Sequence, residues 1–334
     1  MKAILKSLFT LLFLSAIVIS ITSCDEINER VLPTISGKSG DLLVVVDSNY
    51  WNYKTGAAIQ TIFSTEQVGL PQREAKFNLI KIPHRSFARI FHTMRNVIMV
   101  DIDPKKKTKI SISEDVWAET QLVVTITAPD DKTAAATIKK NAATLLDYFN
   151  DRERKRLQSK YRVNANSKNA KYLEKQFGVK ISLDDLYVVA KETDDFIWMR
   201  KDKMAGEHPI SYGMMIYTYP YTSDSTFDVH QLVAKRNEMT KEHVVGSVEG
   251  SYVQTYLEYV PREKEINLKG IYVKELRGLW QMKGDFMGGP FVSYTMVDEP
   301  NNRVITIDGY IYAPKFDKRE LIRELEALAL TVNF

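Results

Sequence analysis

The feature that most constrains this chain is its amino terminus, which combines a signal-like segment with the only cysteine of the sequence. Lys2 and Lys6 give a basic start, and residues 8–21 form an apolar run. This run is short for a helix that must cross a hydrocarbon core about 30 Å thick, and it is typical of a secretory signal peptide. An exported chain with one cysteine cannot form an internal disulfide, so its folded state must be stabilised by hydrophobic cores.

The residues that end the apolar run resemble a bacterial lipobox. Ile21, Thr22, Ser23 and Cys24 follow the pattern of an aliphatic residue, two small residues and a cysteine. The sequence therefore predicts a lipoprotein that is cleaved before Cys24 and acylated there, for example with palmitate. Each buried methylene contributes about 0.8 kcal/mol, so several acyl chains hold a protein durably on a membrane. The expected location is the cell envelope, on the outer membrane, facing the periplasm or the exterior.

The length of the chain limits the number of folded domains, and its net charge argues against nucleic acid as a partner. Without the signal the chain keeps about 310 residues, enough for one large domain or two ordinary ones. Of the 46 Lys and Arg residues two lie in the signal, which leaves a nearly neutral balance against 42 acidic residues. Neutrality and export together argue against a nucleic-acid partner.

The pattern of apolar residues divides the chain into five predicted segments. They are a signal peptide (1–23), a polar tether (24–40), a first α+β unit (41–150), a basic helical connector (151–180) and a second α+β unit (181–334). Both units are predicted to be α/β sandwich-like with mainly antiparallel sheets, so the predicted fold class is α+β. Residues 125–132 and 310–318 both run from a strand through Ala-Pro and Asp-Lys into a helix. This similarity indicates two related, duplicated units, or else a common way of leaving a strand.

Strands are predicted where β-branched and aromatic residues run together or alternate. The predicted strands are 42–46, 77–82, 97–102, 109–113, 121–127, 186–190, 196–200, 214–219, 252–259, 266–275, 279–286, 291–297 and 304–312. The predicted helices are 51–63, 87–94, 138–149, 230–239 and 321–332.

The sequence contains none of four common catalytic motifs. These are the Gly-x-Ser-x-Gly, Ser-x-x-Lys, His-Glu-x-x-His and Cys-x-x-Cys motifs. No catalytic residue, metal ligand or cofactor is therefore predicted. Asp194 and Asp195 are carboxylates that a hydrolase of cell-wall or glycan material could use, although such a pair is equally typical of a turn.

A glycine-rich segment near residue 285 is the most unusual local composition. Trp280, Phe286, Met287 and Phe291 lie among four glycines and offer contact area for a partner. The alternative is a β-hairpin with its turn at 287–290, in which the aromatic rings pack on a sheet.

The predicted connector is strongly basic, with ten basic residues against two acidic ones between residues 152 and 180. Arg152, Arg154, Lys155 and Arg156 begin it and are candidates for contact with an anionic lipid surface. The alternative is that these cations solvate the exposed face of a long helix.

Several segments together resemble a known family. They are the lipobox, residues 40–47 followed by Trp51, residues 116–121, and residues 278–280 with 285–291. They are similar to uncharacterised envelope lipoproteins of the Bacteroidota, catalogued only as a domain of unknown function. The resemblance covers nearly the whole mature chain and implies a two-membrane envelope, but it implies no activity.

The function that we predict is therefore a lipid-anchored envelope protein, most simply a non-enzymatic binding or scaffolding module. Its expected partners are the membrane, through lipid on Cys24, and an envelope protein or glycan. The alternative hypothesis is a carboxylate-dependent hydrolase that acts on cell-wall or glycan material.

Overall fold

Two β-sheets organise residues 31–334, the part of the chain that the computed structural model describes. The predicted signal peptide, Cys24 and the start of the predicted tether lie outside the described residues. From Thr34 onward the chain forms one compact unit. The Ser36 amide donates a hydrogen bond to the Thr93 carbonyl at 2.7 Å, so the chain is fixed to the fold before the predicted end of the tether.

The first sheet is built from five strands. They are β1 (Asp41–Val45), β2 (Asn78–Ile82), β3 (Asn96–Ile102), β4 (Lys109–Glu114) and β5 (Leu122–Ala128). Their order is β2-β1-β3-β5-β4, and every neighbouring pair is parallel except the antiparallel pair of β4 and β5. All five residues of β1 are buried, as expected for an apolar central strand that is covered on both faces.

Helices cover mainly one face of this sheet. They are α1 (Ser48–Trp51), α2 (Lys54–Phe63), α3 (Arg89–His92), α4 (Asp131–Lys140) and α5 (Ala142–Tyr161). The α2 and α5 helices bring Phe63 and Phe149 against Phe77, and the three rings pack edge to face with centroids 5.6–6.0 Å apart. The opposite face carries a smaller core that is partly covered by Phe87 and Trp117. The first core therefore lies between the sheet and the helices α2, α4 and α5.

The second sheet is larger and entirely antiparallel. Its strands are β6 (Val188–Glu192), β7 (Phe196–Ala205), β8 (His208–Pro220), β9 (Tyr252–Thr255), β10 (Arg262–Leu268), β11 (Ile271–Lys283), β12 (Gly288–Asp298) and β13 (Arg303–Tyr312). Their order is β10-β11-β12-β13-β8-β7-β6, and β9 pairs with the far end of β11. The remaining helices are α6 (Lys168–Phe177), α7 (Val229–His243) and α8 (Arg319–Ala329).

The second sheet is covered on both faces. Leu325 and Leu328 of α8 pack with Phe177 of α6 on one face. Leu232 and Met239 of α7 pack on the other face. Eight of the eleven strand pairs in the described chain are antiparallel, which confirms the predicted α+β class with mainly antiparallel sheets.

The predicted connector is mainly helical, as expected, but α5 passes through residue 150 without interruption. In α6, the Ser167 side chain accepts a hydrogen bond from the Ala170 amide, and Gly178 ends the helix with a φ of 67°. The repeated Ala-Pro connection joins β5 to α4 and β13 to α8. However, β5 has one parallel and one antiparallel neighbour, whereas both neighbours of β13 are antiparallel.

Three predicted strand boundaries in the second sheet are wrong. The predicted strand 252–259 ends at Thr255. The predicted strand 266–275 is divided by a tight turn at Lys269 and Gly270, whose φ angles are 53° and 94°. Conversely, Gly278 lies within β11 rather than between two strands. A Cβ atom on Gly278 would approach the Phe291 ring to 2.7 Å, so glycine lets the aromatic ring pack across the strand.

Within residues 31–334, no helix combines the length and the apolar character that a membrane span requires.

Candidate functional site

An open groove of about 870 Å³ lies between α5 and the free edge of the second sheet. This volume falls in the range of ligand sites in proteins, roughly 300–1,000 Å³. One wall is formed by a face of α5, because residues three or four apart on a helix lie on the same side. The residues of this face include Ala143, Asp147, Asn150, Asp151 and Arg154.

The opposite wall is β10, the terminal strand of the second sheet. Residues 262–267 all line the groove. Successive side chains of a strand point to opposite faces, so an unbroken run of lining residues means that the groove follows the backbone edge of β10. The groove therefore has a helix on one side and, among the described residues, a strand edge without a pairing strand on the other.

The floor of the groove is an arginine held between two carboxylates. The Arg277 Nε and Nη2 atoms donate to Glu275 at 2.7 and 2.9 Å, and Nη1 contacts Glu326 of α8. The Tyr294 hydroxyl also donates to Glu275, at 3.0 Å. Because donors and acceptors of the floor meet one another, the network is rigid and satisfied.

The two central side chains of the groove floor, Glu275 and Arg277, are both held in their charged forms. Burial by itself would raise the pKa of the Glu275 carboxyl, but the Arg277 guanidinium lowers it below its ordinary value. Burial disfavours the charged form of Arg277, yet Glu275 and Glu326 raise its pKa well above its usual range. A general acid needs a pKa near the working pH, so Glu275 and Arg277 are poorly suited to transferring protons.

Two lysines that line the groove lie close enough for their charges to interact. Burial, followed by the nearby Lys264 ammonium, lowers the pKa of Lys76. Lys264 also reaches across to α5, where its Nζ atom lies 3.1 Å from Asp147 Oδ1 in an exposed ion pair. A ligand carboxylate placed between these lysines would relieve their repulsion.

The floor network makes part of the stability sensitive to acid. Since the folded pKa of Glu275 is below its ordinary value of 4.5, its contribution is present above that pH and is lost as the pH falls through the folded pKa. We expect the melting temperature of the wild type to fall more steeply in acid than that of Glu275→Gln. Thermal unfolding between about pH 7 and about pH 3 measures this difference. Glu249→Gln, at an exposed position, is the control, and parallel curves for all three proteins would refute the expectation.

The aromatic segment that the sequence suggested as a partner surface is divided between core and solvent. Trp280 and Phe291 are 2% and 1% exposed and belong to the core beneath α7. Met287 is partly buried against that core, whereas Phe286 is fully exposed. The hairpin is present, but its turn lies at 284–287 rather than at 287–290. The four side chains therefore do not share one surface.

The basic residues at the start of the predicted connector make internal contacts. Arg152 pairs with Glu114 and Asp115 at 2.7 and 2.8 Å. Arg156 is 7% exposed in its side chain and donates to Glu153 at 2.9 Å, and burial lowers its pKa to about 10.

Their two neighbours in the sequence are more accessible. Arg154 and Lys155 both pair with Asp151 on the surface of α5. Contact with an anionic surface stays a prediction, and Arg154 and Lys155 are the members of the group with the exposure that it requires.

The carboxylate pair of the hydrolase hypothesis lies in a turn. Asp194 and Asp195 are exposed between β6 and β7. The Asp195 carboxylate accepts a hydrogen bond from the Thr193 hydroxyl at 2.8 Å, which is the local bonding expected of a turn residue. Neither residue lines the groove. In the described part of the chain, no group of three or more His, Cys, Asp or Glu side chains is placed to hold a metal ion.

Models of protein families match the chain in two adjoining regions. Residues 36–162 match a domain of unknown function (DUF8532), and residues 166–331 match a second domain of unknown function (DUF4837). Neither description gives an activity. Together the matches cover most of the chain, which is consistent with an uncharacterised family. No curated protein matches the chain.

The groove lies at the junction of the two matched regions. Its α5 wall falls in the DUF8532 region, whereas β10, Arg277 and Glu326 fall in the DUF4837 region. Sequence reasoning missed this site because its charges are far apart along the chain. A usable signal was the pair Glu275 and Arg277, two charged residues on one face of a strand and on the same side as Val273 and Leu279.

Proposed function

We propose that the protein is a non-enzymatic binding module of the cell envelope, and that its ligand occupies the groove between α5 and β10. The observation that carries this proposal is the fixed charge of the groove floor. Glu275, Arg277 and Glu326 satisfy one another, and the pKa of Glu275 is lowered rather than raised. Such a floor supplies a rigid polar surface against which a ligand can be positioned.

The proposed setting is the outer membrane, with the folded part held by lipid on Cys24. Support comes from the lipobox and from the resemblance to envelope lipoproteins of the Bacteroidota. The proposed partner is a protein or glycan of that envelope.

Removal of the anchor has an expected outcome. Because Cys24 is the only thiol in the chain, Cys24→Ala should abolish labelling by a clickable fatty acid and release the protein from the membrane fraction. Metabolic labelling followed by membrane fractionation measures both effects. Thr22→Ala, which keeps the cysteine, is the control. A labelled, sedimenting Cys24→Ala variant would show that the anchor is assigned wrongly.

The groove can be tested in the native envelope with a photo-crosslinking amino acid. Tyr148 is a suitable position because its ring lines the groove and is 44% exposed. Met204, at the exposed end of β7 and outside the groove, is the matched control. We expect a discrete cross-linked product from position 148 that is missing from position 204. Identical products, or none from position 148, would overturn the proposal that the groove is the binding site.

A further inference from the structure

The free edge of β10 is the feature of the groove that defines a class of ligand. This strand ends the order of the second sheet, and its other side is paired with β11 from Arg262 to Leu268. An edge strand presents a row of unpaired amide and carbonyl groups, which another extended chain can use for hydrogen bonding.

The turn between β10 and β11 determines which backbone groups point outward. Leu268 and Ile271 face each other on either side of the two-residue turn, so they form a hydrogen-bonded pair. Hydrogen-bonded and non-hydrogen-bonded pairs alternate along an antiparallel ladder. The backbone groups of Glu263, Glu265 and Asn267 therefore face away from β11 and into the groove.

Whether these outward-facing backbone groups are already paired within residues 31–334 decides whether a ligand can bond to them. Across residues 31–334, no hydrogen bond joins the backbone of Glu263, Glu265 or Asn267 to another element of the fold. The α5 helix lies opposite β10. The exposed ion pair between Lys264 and Asp147 joins the two elements. An exposed ion pair contributes only about 0–1 kcal/mol, so a ligand can displace it easily.

Charge differs between the two faces of β10. On the face toward α5, Lys264 lies with Lys76 close by. On the other face Glu263 and Glu265 both contact Lys274, at 2.7 and 3.3 Å. An added strand would therefore meet Lys264 and Lys76 on one side and, on the other, Glu263 and Glu265, which share Lys274. Alternating acidic and basic side chains would match both sides at once.

We propose that the groove binds an extended peptide segment of a partner protein, which pairs with β10 as an additional strand and carries alternating acidic and basic side chains. This proposal rests on the proposed function, since it names the ligand of the same groove. Charged side chains on an edge strand also discourage unselective pairing, so they restrict the edge to a peptide of complementary pattern.

The test uses two synthetic peptides of identical composition and the folded chain after residue 24. One peptide alternates Glu and Lys over about twelve residues, long enough to span a strand of ordinary length. The other carries the same residues as one Glu block and one Lys block, which cannot place acids on a single face. Fluorescence anisotropy measures binding of each. We expect the alternating peptide to bind at least about tenfold more tightly, equivalent to about 1.4 kcal/mol.

Two substitutions at one position separate backbone pairing from side-chain contact. Glu265→Pro removes an outward amide without touching the ladder to β11, a position where an edge strand tolerates proline. Glu265→Ala removes only the carboxylate. We expect Glu265→Pro to weaken binding of the alternating peptide about tenfold and Glu265→Ala to weaken it less than about threefold. Hydrogen exchange at the amides of Glu263, Glu265 and Asn267 should slow when the peptide binds, and circular dichroism checks that both variants fold.

Equal effects of the two substitutions, equal binding of the two peptides, or no binding of either would overturn the added-strand proposal. None of these results bears on cross-linking from position 148, which tests the groove with whatever ligand the envelope supplies. If position 148 cross-links to a glycan while the peptides fail, the proposed function stands and the peptide proposal is wrong.

Discussion

Replacing Trp280 by alanine is expected to lower the free energy of unfolding by about 3–5 kcal/mol, the usual effect of emptying a buried tryptophan site. The indole is 2% exposed and packs edge to face on Tyr310 with ring centroids 5.1 Å apart. Its Nε1 atom donates to the Ile311 carbonyl at 3.1 Å, so the change also leaves a buried acceptor without its donor. Urea denaturation followed by fluorescence of the remaining tryptophans measures the loss.

Phe286→Ala is the matched control, because Phe286 lies in the same hairpin and is fully exposed. We expect this change to alter stability by no more than about 0.5 kcal/mol. Similar losses for the two variants would mean that Trp280 is not a core residue.

Removing one member of the buried pair Arg236 and Asp308 is expected to cost about 3–5 kcal/mol, because the other charge stays in the core without compensation. Both residues are 0% exposed, and Arg236 Nε lies 2.8 Å from Asp308 Oδ2. The guanidinium also lies 3.8 Å from the centroid of the Phe291 ring. Burial raises the pKa of Asp308 in spite of the neighbouring guanidinium, so the core itself disfavours an isolated carboxylate.

A double-mutant cycle separates the interaction free energy of Arg236 with Asp308 from the contacts that each residue makes with other groups. Asp308→Ala and Arg236→Met should each destabilise strongly, whereas the double variant should recover much of the loss because no charge is left buried. Equilibrium denaturation of the four proteins gives the coupling free energy. Strictly additive losses would contradict the expectation.

The helices and strands that could be predicted are those in which the sequence pattern of apolar residues matches the burial of those residues in the fold. The apolar run of β1 predicted a buried central strand, and the repeating leucines of α8 predicted a helix with one buried face. The charge-rich edge of the second sheet was predicted poorly. Lys269 takes a left-handed conformation that Asn or Asp adopts more readily, so the tight turn after β10 gave little signal. Without that turn, the edge strand was merged with its neighbour.

The candidate site could not be predicted, for a different reason. Some of its contacts join residues that are far apart in the sequence, such as Lys264 with Asp147, which are separated by 117 positions. Arg277 and Glu326 come from a strand and a helix whose packing depends on the whole second core. Similarly, Arg152 and Arg156 looked free in the sequence because partners such as Glu114 and Asn96 belong to distant strands. Sequence periodicity identifies which side of an element is apolar, but not which element it meets.

The uninterrupted α5 helix has a consequence for how the groove can open. Its twenty residues extend about 30 Å, from the core of the first sheet, where Leu145 and Phe149 pack, to the core of the second, which includes Tyr161. Near that second end Gln158 donates to the Leu330 carbonyl at 3.2 Å. Because α5 is uninterrupted and packs at both ends, we expect the distance between the helix and β10 to change little when a ligand binds. Binding in a preorganised groove costs little conformational entropy of the protein. A groove whose width changes little also selects ligands by their thickness as well as by their charge.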